Sequence, residues 1–349
     1  MKTAVVLFNL GGPLQEADIR PFLFNFFMDK NIIAAPLPIR YFIAKYISIK
    51  RGSGEARESY ARLGFKSPLL QNTQAQAIAL QEELSKSYPD DEVRVFVSMR
   101  YWKPFAKDVI GELNKFLPDR LICLPLYPQY STTTTNSSFE NFWAEVQADD
   151  GELHARWNEE TKVYEQKCYP LQDGFINASA ELVKKELEKA PEGARVLFSA
   201  HGLPKKVVEA GDPYQFQCEK TAEAIAARCN LGSDDWRICY QSKVGPLEWI
   251  GPSVEDELRR AAQDRKPVII YPHAFVSEHV ETLVELDIDY KELAEKEGVP
   301  YYGRVPAVGT HPEFIRGLCS LVIRALEGKK EKEICQRAFT GCGCMKKVA

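Results

Sequence analysis

Short runs dense in β-branched and aromatic residues recur along this chain, at positions 3–10, 93–99, 120–126, 195–200, 236–241 and 267–271, and most are apolar nearly throughout. A strand with water on one face alternates apolar and polar residues. A near-continuous apolar strand has both faces covered, the condition of a parallel sheet flanked by helices. Helical periodicity fills the intervals, at 69–87, 105–116, 175–190, 215–229, 254–263, 290–296 and 312–326. The alternation predicts an α/β architecture with right-handed crossovers. At 349 residues the chain has room for about two domains.

Two strand ends look alike. Val6-Leu7-Phe8-Asn9-Leu10-Gly11-Gly12-Pro13 and Val196-Leu197-Phe198-Ser199-Ala200-His201-Gly202-Leu203-Pro204 each break from a strand into a Gly/Pro loop. They suggest two similar α/β halves, the second starting near residue 170. Open α/β sheets bind ligands beyond the carboxyl ends of their strands. The expected site is therefore a cleft between two halves, lined by residues 9–13, 99–103, 126–135, 201–204, 241–249 and 273–281. No G-x-G-x-x-G or Walker A motif is present, which removes the best support for nicotinamide or nucleotide-hydrolysis chemistry. Lys+Arg is 45 against 49 Asp+Glu, a net charge of -4, so a protein held to nucleic acid by phosphate contacts is not expected. No apolar run suggests a membrane span. The N-terminus enters strand-like sequence directly, without a secretory pattern, which predicts a cytoplasmic protein.

Four stretches carry residues suited to chemistry. In Ser199-Ala200-His201-Gly202-Leu203-Pro204 a histidine is held at a turn, where neutral imidazole can bind a metal or take a proton, although a structural histidine is an equal reading on position alone. In the stretch 271–285, a helix capped near Ser277 would bring Glu278, Glu281 and Glu285 onto one face with His279 close by. That is either a solvated acidic face or a His/Glu cluster for a divalent cation or proton relay. In the stretch 241–252, two Gly-Pro steps surround Trp249 and suit an aromatic wall for a flat apolar ligand. The nine cysteines end in Cys335-x6-Cys342-x-Cys344, whose spacing alone leaves an iron–sulfur cluster, a zinc site and a redox-labile tail all open. The segment 21–51 mixes many aromatic and aliphatic residues with Lys30, Arg40, Lys45, Lys50 and Arg51; it reads either as buried helix or as an apolar lip for a greasy anionic ligand or a membrane surface.

Taken together, these motifs resemble the ferrochelatases, the iron-inserting enzymes of haem synthesis. The resemblance runs from Asn9-Leu10-Gly11-Gly12-Pro13 to about Ala325 and includes Ser67-Pro68, Tyr127-Pro128-Gln129-Tyr130-Ser131, the His201 motif, Gln241-Ser242-Lys243-Val244-Gly245-Pro246 with Trp249, and the stretch 277–283. It implies two doubly wound, Rossmann-like halves of parallel sheet, at 1–165 with a lip at 21–51 and at 166–310, followed by a helix and cysteine-rich tail at 311–349. It implies a lyase that inserts Fe²⁺, a substrate, into protoporphyrin IX. His201 and Glu281 become the catalytic metal pair, Glu278, His279 and Glu285 a proton or metal relay, and Arg51, Tyr60, Ser67, Arg100, Tyr101 and Trp249 porphyrin contacts. The tail resembles that of bacterial members with a [2Fe–2S] cluster, which implies ligation by Cys335, Cys342, Cys344 and an internal Cys168. Cys123 and Cys239 read as core thiols. The lip would allow peripheral contact with the inner face of a membrane. Two positions depart from the family pattern: Phe65 stands where relatives usually have Gly, and Thr132 where animal members place an internal cluster cysteine. A chelatase for another tetrapyrrole or metal, such as coproporphyrin or cobalt, and a non-catalytic tetrapyrrole sensor are the competing readings.

Overall fold

The computed structural model describes residues 1–151, 161–329 and Cys342. Its described strands form two all-parallel sheets. The first contains β1 (Lys2–Asn9), β2 (Glu92–Met99), β3 (Arg120–Pro125) and β4 (Lys162–Glu165) in the order β2-β1-β3-β4. The second contains β5 (Arg195–His201), β6 (Trp236–Gln241), β7 (Val268–Pro272) and β8 (Tyr302–Arg304) in the order β6-β5-β7-β8. The two orders are the same, and β1 and β5, the strands with similar Gly/Pro endings, hold the same inner position in each. The described residues divide into two units: 1–127, 131–151, 161–168 and 318–329 form one, and 128–130, 169–317 and Cys342 the other.

Apolar runs become the covered strands. Val5 in β1 and Val196, Leu197 and Phe198 in β5 have no exposed surface. In the first unit Phe8 meets Phe139 and Phe142 edge-on, each at 5.2 Å between ring centres, and Val109, Leu113 and Phe116 from helix Ala106–Phe116 join the same cluster. In the second, Leu197, Val268 and Ile270 pack with Val254, Leu258 and Ala261 of helix Val254–Gln263. That helix starts where its sequence says it should: Ser253 Oγ accepts from Asp256 N at 3.1 Å, the Ser-x-x-acid pattern of a capping box.

The helices Leu69–Ser87, Val254–Gln263 and Pro312–Leu326 occupy the stretches that periodicity predicts. Two strands were not anticipated. Lys162–Glu165 and Tyr302–Arg304 are short outer strands of mixed composition, so no apolar run announces them. Helices Glu55–Ala61 and Ser137–Ala148 were likewise not expected, whereas Ile19–Phe27 and Leu37–Ser53 fall largely within 21–51, for which buried helix is one of the two readings.

Helix Asp173–Leu187 crosses helix Pro312–Leu326 at two glycines. A Cβ on Gly174 would lie 2.3 Å from the Glu313 carbonyl oxygen and 2.8 Å from Gly317 Cα, so only glycine lets the backbones approach. Gly111, on the exposed face of helix Ala106–Phe116, would meet nothing within 4 Å. The two sites should respond oppositely to the same change. Gly174→Ala is expected to cost about 1–3 kcal/mol through overpacking. Gly111→Ala is expected to add about 0.5–1 kcal/mol by restricting the unfolded chain. Denaturant midpoints of the two variants, compared with wild type, check both signs.

Candidate metal-facing site

β5 runs straight into His201, and the chain then turns through Gly202. The His201 Nδ1 lies 2.6 Å from the Gly202 carbonyl oxygen. A carbonyl can only accept, so Nδ1 carries the hydrogen and the neutral ring keeps its lone pair on Nε2. That Nε2 is 3.9 Å from Glu281 Oε2, and His279 Nε2 is 3.6 Å from the same oxygen. One carboxylate thus stands beside two imidazoles; His201 and Glu281 are partly exposed and His279 is buried. Gly202 allows Trp249 to close in, since a Cβ there would lie 3.0 Å from Trp249 Cε3 and 3.2 Å from the Gln241 carbonyl. The Trp249 and His201 rings are 6.1 Å apart and tilted by 45°.

The acidic stretch differs from the helix expected to start near Ser277. Its cap is Val280, and Glu281–Asp289 winds as a π-helix before helix Tyr290–Glu297 resumes normal pitch. Thr282 ties the first turn back to the preceding loop: its Oγ1 accepts from His279 N at 3.0 Å and donates to the His279 carbonyl at 3.1 Å. π-turns are rare and concentrate at functional sites. The Glu285 carboxylate accepts from Gln241 Nε2 at 3.0 Å, Ser242 N at 2.8 Å and Tyr290 OH at 3.2 Å. Burial, and next the neighbouring Glu281 charge, push Glu285 above the usual carboxylate range, against hydrogen bonds from Ser242 and Gln241. Gln241 also donates to the Glu281 carbonyl at 3.0 Å and accepts from Ser199 Oγ at 2.8 Å, which fixes its side chain. Glu278 is engaged differently. Its Oε1 accepts from Arg304 Nη1 at 2.5 Å and Ala307 N at 2.9 Å.

In the first unit, Arg100 and Tyr101 follow β2 and converge on Asp29, which sequence reasoning missed. Asp29 Oδ2 accepts from Arg100 Nη2 at 3.0 Å and Tyr101 OH at 2.7 Å, and also from Ser137 Oγ. Burial would raise its pKa, but Arg100 and the hydrogen bonds from Ser137, Asn31 N and Tyr101 hold it below the ordinary value. The one available signal was an acid inside an otherwise apolar and basic segment. Tyr60 and Ser67 are buried, and Arg51 Nε pairs with Glu55 at 3.6 Å.

Within 21–51 both readings have a place. Helix Ile19–Phe27 buries Phe22, Leu23 and Phe27. Helix Leu37–Ser53 is inverted: its buried residues are the small Ala44, Ser48 and Gly52, whereas Phe42 is 70% and Tyr46 65% exposed, with Leu37, Ile39 and Ile49 also outside. No helix among the described residues is long and apolar enough to cross a membrane.

Among the described thiols, Cys123, Cys218 and Cys239 are fully buried, and burial pushes each one up. Cys319 is buried beside Ser87, and Cys229 donates to the Ala180 carbonyl at 3.6 Å. Cys168 lies outside every element, half-buried, and Cys342 is buried. Cys335 and Cys344 lie outside the described residues. Among the described residues no group of three or more His, Cys, Asp or Glu side chains is arranged to hold a metal ion by itself.

Comparison with known proteins supplies the context. A family model described as Ferrochelatase matches residues 2–326. The ferrochelatase of Phenylobacterium zucineum is 47% identical, covering 99% of this chain and 98% of the relative. That of Caulobacter vibrioides is 49% identical over 98% of this chain and 95% of its own, and that of Rickettsia conorii 44% over 98% of each. The structure described as SirB from Bacillus subtilis with Fe3+ superimposes with a TM-score of 0.55 at 13% identity, covering 95% of this chain and all of that one. At that identity the likeness concerns the fold alone.

His273, just past the end of β7, offers a test of the buried framework behind this site. Burial lowers its pKa to about 4 even though its Nε2 is 3.2 Å from the Cys218 carbonyl. The unfolded chain takes up a proton near pH 6.5 that the folded chain refuses until about pH 4, so unfolding is favoured as pH falls through that window. Above it the group imposes no pH dependence. The expected loss across the window is at most about 3 kcal/mol. His273→Gln should flatten this part of the acid limb in denaturant titrations at stepped pH.

Proposed function

The chain belongs to the ferrochelatase family, and from that membership we propose that it inserts Fe²⁺ into protoporphyrin IX, with His201 and Glu281 as the metal-facing pair. The observation that carries the assignment of residues is the lone-pair nitrogen of His201 placed 3.9 Å from Glu281 Oε2, at the carboxyl end of a central parallel strand. Insertion replaces two pyrrole protons of the porphyrin with one ferrous ion. His201 Nε2 is free to accept a proton or face the metal, because Nδ1 is committed to the Gly202 carbonyl. Glu281 offers an anionic oxygen to the same space. His279 and Glu285 carry protons away from Glu281. Glu285 suits that role, since burial raises its affinity for a proton while Ser242, Gln241 and Tyr290 keep it oriented.

Trp249, partly buried beside His201, is an apolar wall for the macrocycle. Arg100, Tyr101, Tyr60, Ser67 and Arg51 are proposed to contact the porphyrin from the first unit's residues. Arg100 is the strongest of these, because its guanidinium is braced by Asp29 and Ser137 Oγ and its charge suits a porphyrin carboxylate. The exposed apolar residues of helix Leu37–Ser53, beside the exposed Lys45 and Lys50, suit peripheral contact with an anionic membrane face from the cytoplasmic side.

A [2Fe–2S] cluster takes four thiolates, and we assign Cys168, Cys335, Cys342 and Cys344 to it. Cys168 fits better than Cys123, Cys218, Cys239 and Cys319: it lies outside every element and is half-buried, whereas Cys123 and Cys239 are sealed inside the sheets in β3 and β6 and Cys218 and Cys319 are buried in helices Tyr214–Arg228 and Pro312–Leu326. When bound, such a cluster would cross-link residue 168 to the C-terminal tail and so add metal–ligand bonds to folding stability.

Three experiments check these assignments. His201→Ala should abolish turnover with Fe²⁺ while porphyrin fluorescence titrations still report binding; retained turnover would remove His201 from the mechanism. Assays with protoporphyrin against coproporphyrin, and with Fe²⁺ against Co²⁺, separate the proposed reaction from the other chelatase readings, and no turnover with any of them would favour a sensor. Cys168→Ser should lose the visible absorption of the purified, anaerobically reconstituted protein, and a retained spectrum would exclude Cys168 as a ligand.

A further inference from the structure

β8 is only three residues long, yet two of its side chains reach the metal-facing elements. Tyr302 and Arg304 are two apart on a strand and therefore share a face. Tyr302 OH donates to the Leu286 carbonyl at 2.7 Å, inside the π-helix. Arg304 grips Asp287 with a fork, Nε to Oδ1 at 2.6 Å and Nη2 to Oδ2 at 2.7 Å. Its remaining nitrogen, Nη1, donates to Glu278 Oε1 at 2.5 Å, and the same oxygen accepts from Ala307 N at 2.9 Å. The Arg304 side chain is only 14% exposed, so these are not screened surface pairs.

The two acids bracket the site. Glu278 immediately precedes His279, and Asp287 lies on the π-helix that presents Glu281 and Glu285. We infer that Arg304 is a positioning residue that locks the loop carrying His279 to the π-helix carrying Glu281, so that the metal-facing carboxylate and the relay imidazole beside it keep a fixed geometry. Glu278 then holds the loop in place and does not carry protons. Arginine suits the task where lysine does not, because only a planar fork can bind one carboxylate with two nitrogens and a second with the third. This inference rests on the reading of His201 and Glu281 as metal-facing. Removing a group that orients metal-binding side chains commonly alters metal affinity or activity by about 10–100-fold.

The test compares wild type, His201→Ala, Arg304→Lys, Arg304→Gln and Asp287→Asn. Co²⁺ alone is titrated by its visible absorption, with His201→Ala as the background for any Co²⁺ held by thiols. Steady-state insertion is then measured with metal and porphyrin varied separately. The expected result is a Co²⁺ affinity about tenfold or more weaker in Arg304→Lys and Arg304→Gln, a matching fall in kcat/KM for metal, and a porphyrin KM within about twofold of wild type. Asp287→Asn, which weakens one jaw and leaves Glu278 paired, should fall between. Wild-type Co²⁺ affinity and metal kcat/KM in Arg304→Lys and Arg304→Gln would overturn the inference. So would equal losses in metal and porphyrin parameters tracking a lower Tm, because that pattern is general destabilisation. If His201→Ala binds Co²⁺ as wild type does, the metal-facing reading itself has failed, and that outcome is distinct from either of the others.

Discussion

Parallel pairing is the constraint from which the site follows. Strands running the same way leave a sheet at the same edge, so whatever follows them must gather there. In the second sheet β5 ends on His201, β6 ends on Gln241 with Ser242 next, and β7 leads through His273 to His279 and Glu281. Three stretches far apart in sequence thereby meet at one edge. Gln241 shows how tightly: it touches Ser199 on β5, the Glu281 backbone and the Glu285 side chain. The covered faces of these strands serve the same end, since a sheet buried on both sides holds its carboxyl edge rigid.

On that edge the acids are treated in two ways. Glu285 is met by neutral donors and sits near another carboxylate, so its negative charge is costly and a proton is favoured. Glu278 is met by a guanidinium and a backbone N–H. One environment favours taking and releasing protons; the other favours staying in place. Such divergence between neighbouring carboxylates is how a single cluster performs separate tasks. The π-helix contributes by offsetting Glu281 and Glu285 from normal helical register, which leaves each carboxylate with different neighbours.

Much of this was legible in the sequence, for physical reasons that can be named. Apolar continuity identified the six long strands, and the Gly-Pro endings of β1 and β5 pointed to equivalent places in two sheets of identical order. The His201 turn and the Glu281 stretch were legible because polar, ionisable side chains just past the strands interrupt otherwise apolar runs. β4 and β8 were not, since outer strands of mixed composition carry no such signature. The π-turn was also invisible, because acids spaced three and four apart satisfy an ordinary helix equally well. Asp29 and Arg304 escaped for a third reason: each acts through partners distant in the chain, and only folding brings Arg100 to Asp29, or Glu278 and Asp287 to Arg304.

The departure at Phe65 has a backbone explanation. Gly64 and Phe65 both occupy the left-handed region, at φ +67° and +63°, where the chain reverses after helix Glu55–Ala61. Gly64 N and Phe65 N donate back to the Ala61 and Tyr60 carbonyls at 3.0 and 2.7 Å, closing the helix end in the manner that usually selects glycine. A bulky residue in this conformation costs on the order of 1 kcal/mol. The ring recovers part of that. The Arg57 guanidinium sits 5.3 Å from its centre and is itself paired with Glu16 at 2.7 Å. The turn beyond is undisturbed, with Ser67 N on the Pro13 carbonyl at 2.8 Å and Ser67 buried. Phe65 therefore forgoes glycine's conformational ease and gains a side-chain contact with Arg57, while the backbone two residues on still holds Ser67 N on the Pro13 carbonyl.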